Sequence, residues 1–370
     1  MKIGDVALPS PMVVSPMAGM TDTAFRRLVK RQGGCGLVVT EMVSSEGLVR
    51  GIDRTLEYAE YTEEERPVSI QIFGGDPDKM AEAARIVEGM GANIVDINMG
   101  CPVAKISKHN AGCRLMREPK HAAVIVAAMV KAVKIPVTVK MRKGWDEHEL
   151  NAPDVARAVE QAGAAAITIH GRTAKQSYSG AADWEFVARV ADALTIPVFG
   201  SGDCIEPAQI VERLRHGVSG VFVGRGVLRN PWILAQAQDL LQGRPARAVS
   251  TDDRGQFLLD YIELLQTERL REDPSFRHQA PRQPSRDHVE DAGFTDHAEG
   301  VGFSPASTRY ELAPRHDRWV INKVRALCSW YTKGFENGSH LRIQVNAAQS
   351  LGELRDLIRL FFLSPAMSAS

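Results

Sequence analysis

The chain has no excess of charge of either sign: Lys plus Arg number 45 and Asp plus Glu number 45 in 370 residues. No general attraction therefore draws it to nucleic acid or to an anionic membrane, and any basic surface must be local. Cysteine is scarce. The five cysteines are an odd set without repeated close pairing, which argues against a disulfide framework and for a reducing compartment. Long apolar runs are missing too. The most apolar window, 122–133, is interrupted by Lys131 and is too short to span a bilayer. The start, Met1-Lys2-Ile3-Gly4-Asp5, lacks the apolar stretch of a signal peptide. These absences predict a soluble cytoplasmic protein.

Against them stands an apolar fraction of 44%, enough for a sizeable core, over a length that suits one large α/β barrel with an appendage or two ordinary domains. From Met12 to Val223 short apolar runs alternate with amphipathic stretches, as when parallel strands are covered on both faces by crossover helices. The strands read as 12–15, 37–40, 68–73, 94–98, 137–141, 166–170, 197–200 and 220–223. That count closes an α/β fold of the (β/α)8 TIM barrel type; a doubly wound open sheet is the alternative. Helices are expected between them, at 23–31, 119–133, 153–162, 184–193 and 207–216. The clearest starts at Asp76-Pro77, where Asp caps, Pro suits the first position and Met80, Ala84, Val87 and Met90 form an inward stripe. Only 44–66 lacks a clean helix.

After the eighth strand the alternation stops. Helices are expected at 225–241 and 251–272, while 273–314 is rich in Pro, Ser, Arg, His and Gly without periodicity and reads as a disordered insertion or long loop. Order resumes at Arg315, and a last helix spans 351–362. The reading divides the chain into a barrel, 1–242, and a C-terminal helical domain, 243–370.

In such a barrel, chemistry sits at the C-terminal ends of the strands. The first ends in Ser15-Pro16-Met17-Ala18-Gly19, the third carries Gln71, and the fourth runs into Asn98-Met99-Gly100-Cys101-Pro102. The fifth ends in Lys140-Met141-Arg142 and the sixth in His170-Gly171-Arg172. The last two end in Gly200-Ser201-Gly202-Asp203 and Gly224-Arg225-Gly226, whose small residues let backbone N–H groups approach an anion while Arg225 adds a charged donor. Two such loops after strands seven and eight are the usual phosphate site of barrel enzymes.

Other signals stay two-sided. Cys101, on a corner stiffened by Gly100 and Pro102, reads as a buried small hydrophobe or as a reactive thiol. Lys140, flanked by apolar residues, should point into the barrel mouth; it needs a carboxylate nearby, or serves as a cation beside an oxyanion or an electron-rich cofactor. His170 is a satisfied strand-end histidine or faces a ligand, and Gln71 bonds the backbone or a planar heterocycle. The stretch 101–118 carries Lys105, Lys108, His109, Arg114 and Arg117 against Glu118 alone. It is a solvated loop, or a basic lid over an anionic substrate. A zinc site from Cys101, His109 and Cys113 matches neither familiar spacing nor ligand number, so no metal is expected. Arg315, Arg318, Lys323, Arg325, Lys333 and Arg342, with Trp319, Trp330 and Tyr331, suit either a helix docked on the barrel or contacts to RNA.

Taken together, these motifs resemble the tRNA-dihydrouridine synthases, flavoproteins that reduce uracil in folded tRNA, and most closely their bacterial B-type branch. The likeness runs from Pro16-Met17-Ala18-Gly19-Met20-Thr21-Asp22 to Gly224-Arg225-Gly226 and resumes at Trp330-Tyr331-Thr332-Lys333-Gly334. It implies an FMN held by Pro16, Met17, Ala18, Gln71, Lys140, His170, Ser201, Gly202, Asp203, Gly224 and Arg225. Ser201 departs from the family's usual Asn, which leaves a weaker flavin-phosphate contact or a repaired one. The resemblance further implies hydride transfer from flavin N5 to uracil C6, a proton to C5 from Cys101, and substrate contacts from Asn98, Arg142, Arg172 and Lys333. It implies NADPH, or NADH, as reductant, and tRNA as partner of a monomeric enzyme. Ribosomal RNA as target, a small-molecule FMN oxidoreductase of the dihydroorotate dehydrogenase kind, and an RNA-binding folding helper are the alternatives.

Overall fold

The computed structural model describes residues 1–103, 106, 110–268 and 309–364. A hairpin of β1 (Lys2–Ile3) and β2 (Val6–Ala7) precedes β3 (Met12–Val14), β4 (Leu37–Val39), β5 (Val43–Ser44), β6 (Val68–Phe73) and β7 (Ile94–Met99). Next come β8 (Val137–Arg142), β9 (Ala166–His170), β10 (Val198–Ser201) and β11 (Gly220–Val223). From β3 onward the strands form one sheet in the order β4-β3-β11-β10-β9-β8-β7-β6-β5, with a further β4–β6 pairing. That pairing, Val38 opposite Val68, joins the two ends of the sheet, and every pairing within it is parallel. The sheet is therefore a closed (β/α)8 barrel rather than an open one, with β5 a short extension beside β6.

The period of two divides each strand between two environments. Outward residues such as Val95, Ile97, Val139 and Ile167 join the core beneath the helices. Inward, Val13, Leu37, Val39, Ile94, Ala166, Phe199 and Phe222 form an apolar floor, closed below by Ile3 and Leu8 of the hairpin. Above that floor the interior turns polar: Ser69, Gln71, Asp96, Thr138 and Thr168 are all buried. The site-bearing ends thus rise from a packed base.

Helices start where the sequence supplies caps. Asp22 accepts from Phe25 N–H at 3.0 Å to open Thr23–Gln32, and Asp76 accepts from Asp78 and Lys79 N–H groups ahead of Pro77–Gly89. The stretch 44–66 holds two short helices, Ser45–Val49 and Asp53–Ala59, and a 3-10 turn, Glu63–Glu65, each too brief to show a period. The helix expected at 225–241 is two, Arg225–Arg229 and Ile233–Leu241, because Pro231 between them has no N–H to continue the first.

Beyond the barrel, helices span Thr251–Glu268, Arg309–Tyr331, Gly338–Ala347 and Leu351–Phe362. Residues 309–314, expected to belong to the insertion, are helical instead. Pro314 removes one backbone bond near the helix start, which the turns after it outweigh. The rest of the expected insertion lies outside the described residues, as do Lys105, Lys108 and His109. Gly338–Ala347 was not anticipated, since its apolar positions are few. No helix among the described residues is long and apolar enough to cross a membrane.

The C-terminal helices share the barrel's core. Phe257 stacks on Tyr331 at 5.7 Å, meets Phe25 of the first barrel helix edge-on at 6.2 Å and lies 5.4 Å from Trp232. Phe257→Ala should therefore destabilise barrel and helical region together, by about 3–5 kcal/mol, seen as a lower urea midpoint with one shared transition.

Candidate functional site

Between β6, β7 and β8 runs a chain of hydrogen bonds. Thr138 Oγ1 donates to Asp96 Oδ1 at 2.6 Å, and Gln71 Nε2 donates to Asp96 Oδ2 at 2.7 Å. Asn98 Nδ2 donates to Gln71 Oε1 at 2.8 Å. Asn98 Oδ1 then accepts the N–H groups of Gly100 at 3.1 Å and Cys101 at 2.9 Å. Period-two alternation puts Asp96 and Asn98 on the inward face of β7, and the turn at Gly100 returns the backbone over Asn98. Cys101 is fixed from its other side as well, since its carbonyl accepts from Cys113 N–H at 3.0 Å.

Arg142 braces the same corner. Its Nε donates to Gly100 O at 2.9 Å and its Nη1 to Thr173 O and Ser177 O at 2.8 and 3.0 Å. Only its remaining amine is left for a ligand. Lys140, inward on β8, hydrogen-bonds no described residue. Burial and the Arg142 guanidinium lower its pKa from 10.5 to about 8, although Asp96 and Cys101 pull it upward. Burial raises the Asp96 carboxyl, opposed by its bonds to Gln71 and Thr138 and by Lys140. The Cys101 thiol is likewise pushed up by burial, with Val103 N–H, Arg142 and Lys140 opposing. A thiol so placed stays protonated near neutral pH.

Across the mouth, the ends of β9, β10 and β11 converge. Asp203, at positive φ, accepts from Arg172 at 2.8 Å, from Ala182 N–H at 2.7 Å and from Arg225 at 3.4 Å. Arg225 also lies over the Tyr178 ring at 4.6 Å, and Tyr178 meets His170 edge-on. His170 is held neutral, its pKa well below 6.5, by burial and by the surrounding Lys140, Arg142, Arg172 and Arg225. Two buried polar atoms here lack partners, His170 Nδ1 and Arg172 Nη1. Gly202, at positive φ, lets the backbone pass close to Ala182, where a Cβ would lie only 2.5 Å from the Ala182 methyl and 3.6 Å from His170 Nε2; at Gly224 a Cβ would meet Met17 Sδ at 3.5 Å. The orphaned Arg172 donor and the unpartnered His170 ring nitrogen, beside bare backbone, fit a ligand that carries phosphate and hydrogen-bonding edges.

The first loop, which carries Pro16, Met17 and Ala18, is tied down by Thr21 and Asp22 of its own motif, by Lys323, and by Glu41, which no motif marks. Met17 N–H donates to Thr21 Oγ1 at 3.0 Å, and Gly19 N–H donates to buried Glu41 at 2.6 Å. Lys323, from Arg309–Tyr331, donates to Gly19 O at 3.0 Å and lies 3.1 Å from Asp22 and 3.6 Å from Glu41. Tyr261 OH donates to the same Asp22 at 2.8 Å. These carboxylates raise the Lys323 pKa above 10.5 against the effect of burial. Lys333, by contrast, is exposed on the helical region, 4.1 Å over the Trp330 ring.

Residues 12–283 match the family model described as dihydrouridine synthase. The chain belongs to the dihydrouridine synthase family. It is 42% identical to the "Probable tRNA-dihydrouridine synthase" of Rickettsia bellii over 71% of this chain and 82% of that protein. Identity is 46% to the protein of that name from Rhodobacter capsulatus, over 65% of this chain and 75% of that one. It is 41% to "tRNA-dihydrouridine synthase B" of Xanthomonas campestris, over 65% and 73%. Among the described residues no group of three or more His, Cys, Asp or Glu is placed to hold a metal ion.

Gln71, Asn98, Cys101, Lys140, Arg142, His170 and Arg172 are legible as motifs at strand ends, while Asp96 and Glu41 are not, although the lone acid in Ile94-Val95-Asp96-Ile97 is a signal of an inward polar residue. Lys140 supplies a test of the electrostatics. Because its folded pKa lies below 10.5, the unfolded chain binds its proton more tightly, so stability should rise with pH between about 8 and 10.5. Lys140→Met should raise the melting temperature at pH 7, and that gain should shrink toward pH 10 in paired melts.

Proposed function

We propose that the protein reduces the C5=C6 bond of specific uridines in tRNA to 5,6-dihydrouridine, with FMN as cofactor and NADPH as electron source. In total, uridine, NADPH and a proton become dihydrouridine and NADP⁺. The observation that carries this is Cys101, held by its own N–H and C=O at the barrel mouth beside Lys140 and Arg142, in a chain of the dihydrouridine synthase family.

Pro16, Met17, Ala18, Gln71, Lys140, His170, Ser201, Gly202, Asp203, Gly224 and Arg225 would hold FMN, its phosphate toward the small-residue loops of Gly202 and Gly224 and toward Arg225. The chemistry FMN supplies there is a hydride to uracil C6. Cys101 gives its proton to C5 as negative charge develops on the ring, and its partly exposed thiol regains a proton from solvent. Lys140, with a pKa of about 8, is largely charged at neutral pH and steadies that negative charge. Asn98 Nδ2 donates to Gln71 and, more weakly, to Met42 Sδ at 3.7 Å, and its second hydrogen would exchange that sulfur contact for the uracil edge. Arg142 and Arg172 offer their remaining amines to substrate oxygens or phosphate.

The target base must leave its stack to reach this depth. In this reading 1–242 is the catalytic unit, and 243–370, with Lys333 beside Trp330, holds the RNA. Purified protein given FMN, NADPH and unmodified tRNA transcript should form dihydrouridine, detected by mass spectrometry. Cys101→Ala should retain the flavin absorbance and slow turnover by about 10²–10⁴-fold; turnover at the parent rate would exclude Cys101 as the acid.

A further inference from the structure

A carboxylate inside a barrel is expensive to bury, yet Asp96 occupies an inward position of β7 with 3% of its surface exposed. We propose that Asp96 is a positioning residue for Cys101, acting through Gln71 and Asn98; the inference rests on the role given to Cys101 above.

The reason is directional. An ionised Asp96 only accepts, so Gln71 must turn its amine toward it. Gln71 Oε1 then faces Asn98, which must answer with Nδ2. Asn98 Oδ1 is thereby aimed at the N–H groups of Gly100 and Cys101. Every link is a donor meeting an acceptor, from Thr138 at one end to the Cys101 backbone at the other. If Asp96 carried a proton and donated to Gln71, both amides would reverse. Asn98 would then present its amine to two backbone N–H groups, and the corner would lose its anchor. Burial raises the Asp96 carboxyl, and the bonds from Gln71 and Thr138 with the nearby Lys140 oppose it in favour of the ionised form that this geometry requires.

An alternative route from Asp96 to the chemistry is charge alone, through Lys140. Substitutions separate the two. Asp96→Leu removes the acceptor and the charge, whereas Asp96→Asn removes the charge but can still turn an oxygen toward Gln71. Gln71→Met cuts the chain with Asp96 intact.

The first readout is the rate at which iodoacetamide alkylates Cys101 in the full chain without RNA, followed by mass spectrometry from pH 6 to 10. Cys35, Cys113, Cys204 and Cys328 are buried and report general unfolding. Loss of the anchor should speed Cys101 labelling about tenfold in Asp96→Leu. Gln71→Met should match it, and the double variant should add nothing further. Asp96→Asn should stay within about twofold of the parent chain, its remaining oxygen serving as acceptor. In turnover, Asp96→Leu should lower kcat with KM for tRNA unchanged.

Parent-like labelling in both Asp96→Leu and Gln71→Met overturns the inference, as do additive effects in the double variant. Asp96→Asn labelling as fast as Asp96→Leu also overturns it, in favour of charge. A chain that takes up no FMN contradicts the proposed function instead, and labelling of the flavin-free chain still decides the positioning role.

Discussion

Charge held away from water is the constraint on which the barrel mouth depends. Asp96, Lys140, Arg142, Glu41 and Lys323 all sit in or around it with little solvent, and burial alone would drive each of them toward its neutral form. Each is compensated differently. Arg142 and Arg172 donate to backbone carbonyls, which fixes the loops after β7 and β9, and Arg172 also bonds the Asp203 carboxylate. Asp96 takes two hydrogen bonds, while Lys140 takes none from the described residues and has its pKa lowered to about 8 by burial. The apolar floor and the helix-covered outer face supply the stability that lets these groups persist.

A second consequence is that the helical region is more than an attachment. Lys323 bonds the first loop directly and faces Asp22 and Glu41, while Asp22 also caps the first barrel helix and accepts from Tyr261. One carboxylate therefore serves the barrel, the cap and the junction.

The barrel was legible because parallel strands buried on both faces read as continuous apolar runs, and because the apolar flanks of Lys140 placed it at the barrel mouth. The strand ends could be listed for the same reason. What could not be read were pairings between distant segments, such as Lys323 with Asp22, and choices between partners, such as Arg225 bonding Asp203 and covering Tyr178. Short elements escaped as well: the turns within 44–66 and the helix Gly338–Ala347 are too brief or too sparsely apolar to carry a period. Asp96 was visible as a lone acid in an apolar strand, but its role needs the amide orientations, which only the assembled site supplies.

The central claim is that this barrel reduces uridine in tRNA with Cys101 as the acid. Its most direct test is mass-spectrometric mapping of dihydrouridine across tRNA and ribosomal RNA from cells lacking the gene and re-supplied with the parent chain or Cys101→Ala. The account predicts that defined tRNA positions lose dihydrouridine and regain it with the parent chain but not with Cys101→Ala. Unchanged tRNA in the deleted strain, or full recovery with Cys101→Ala, would contradict it.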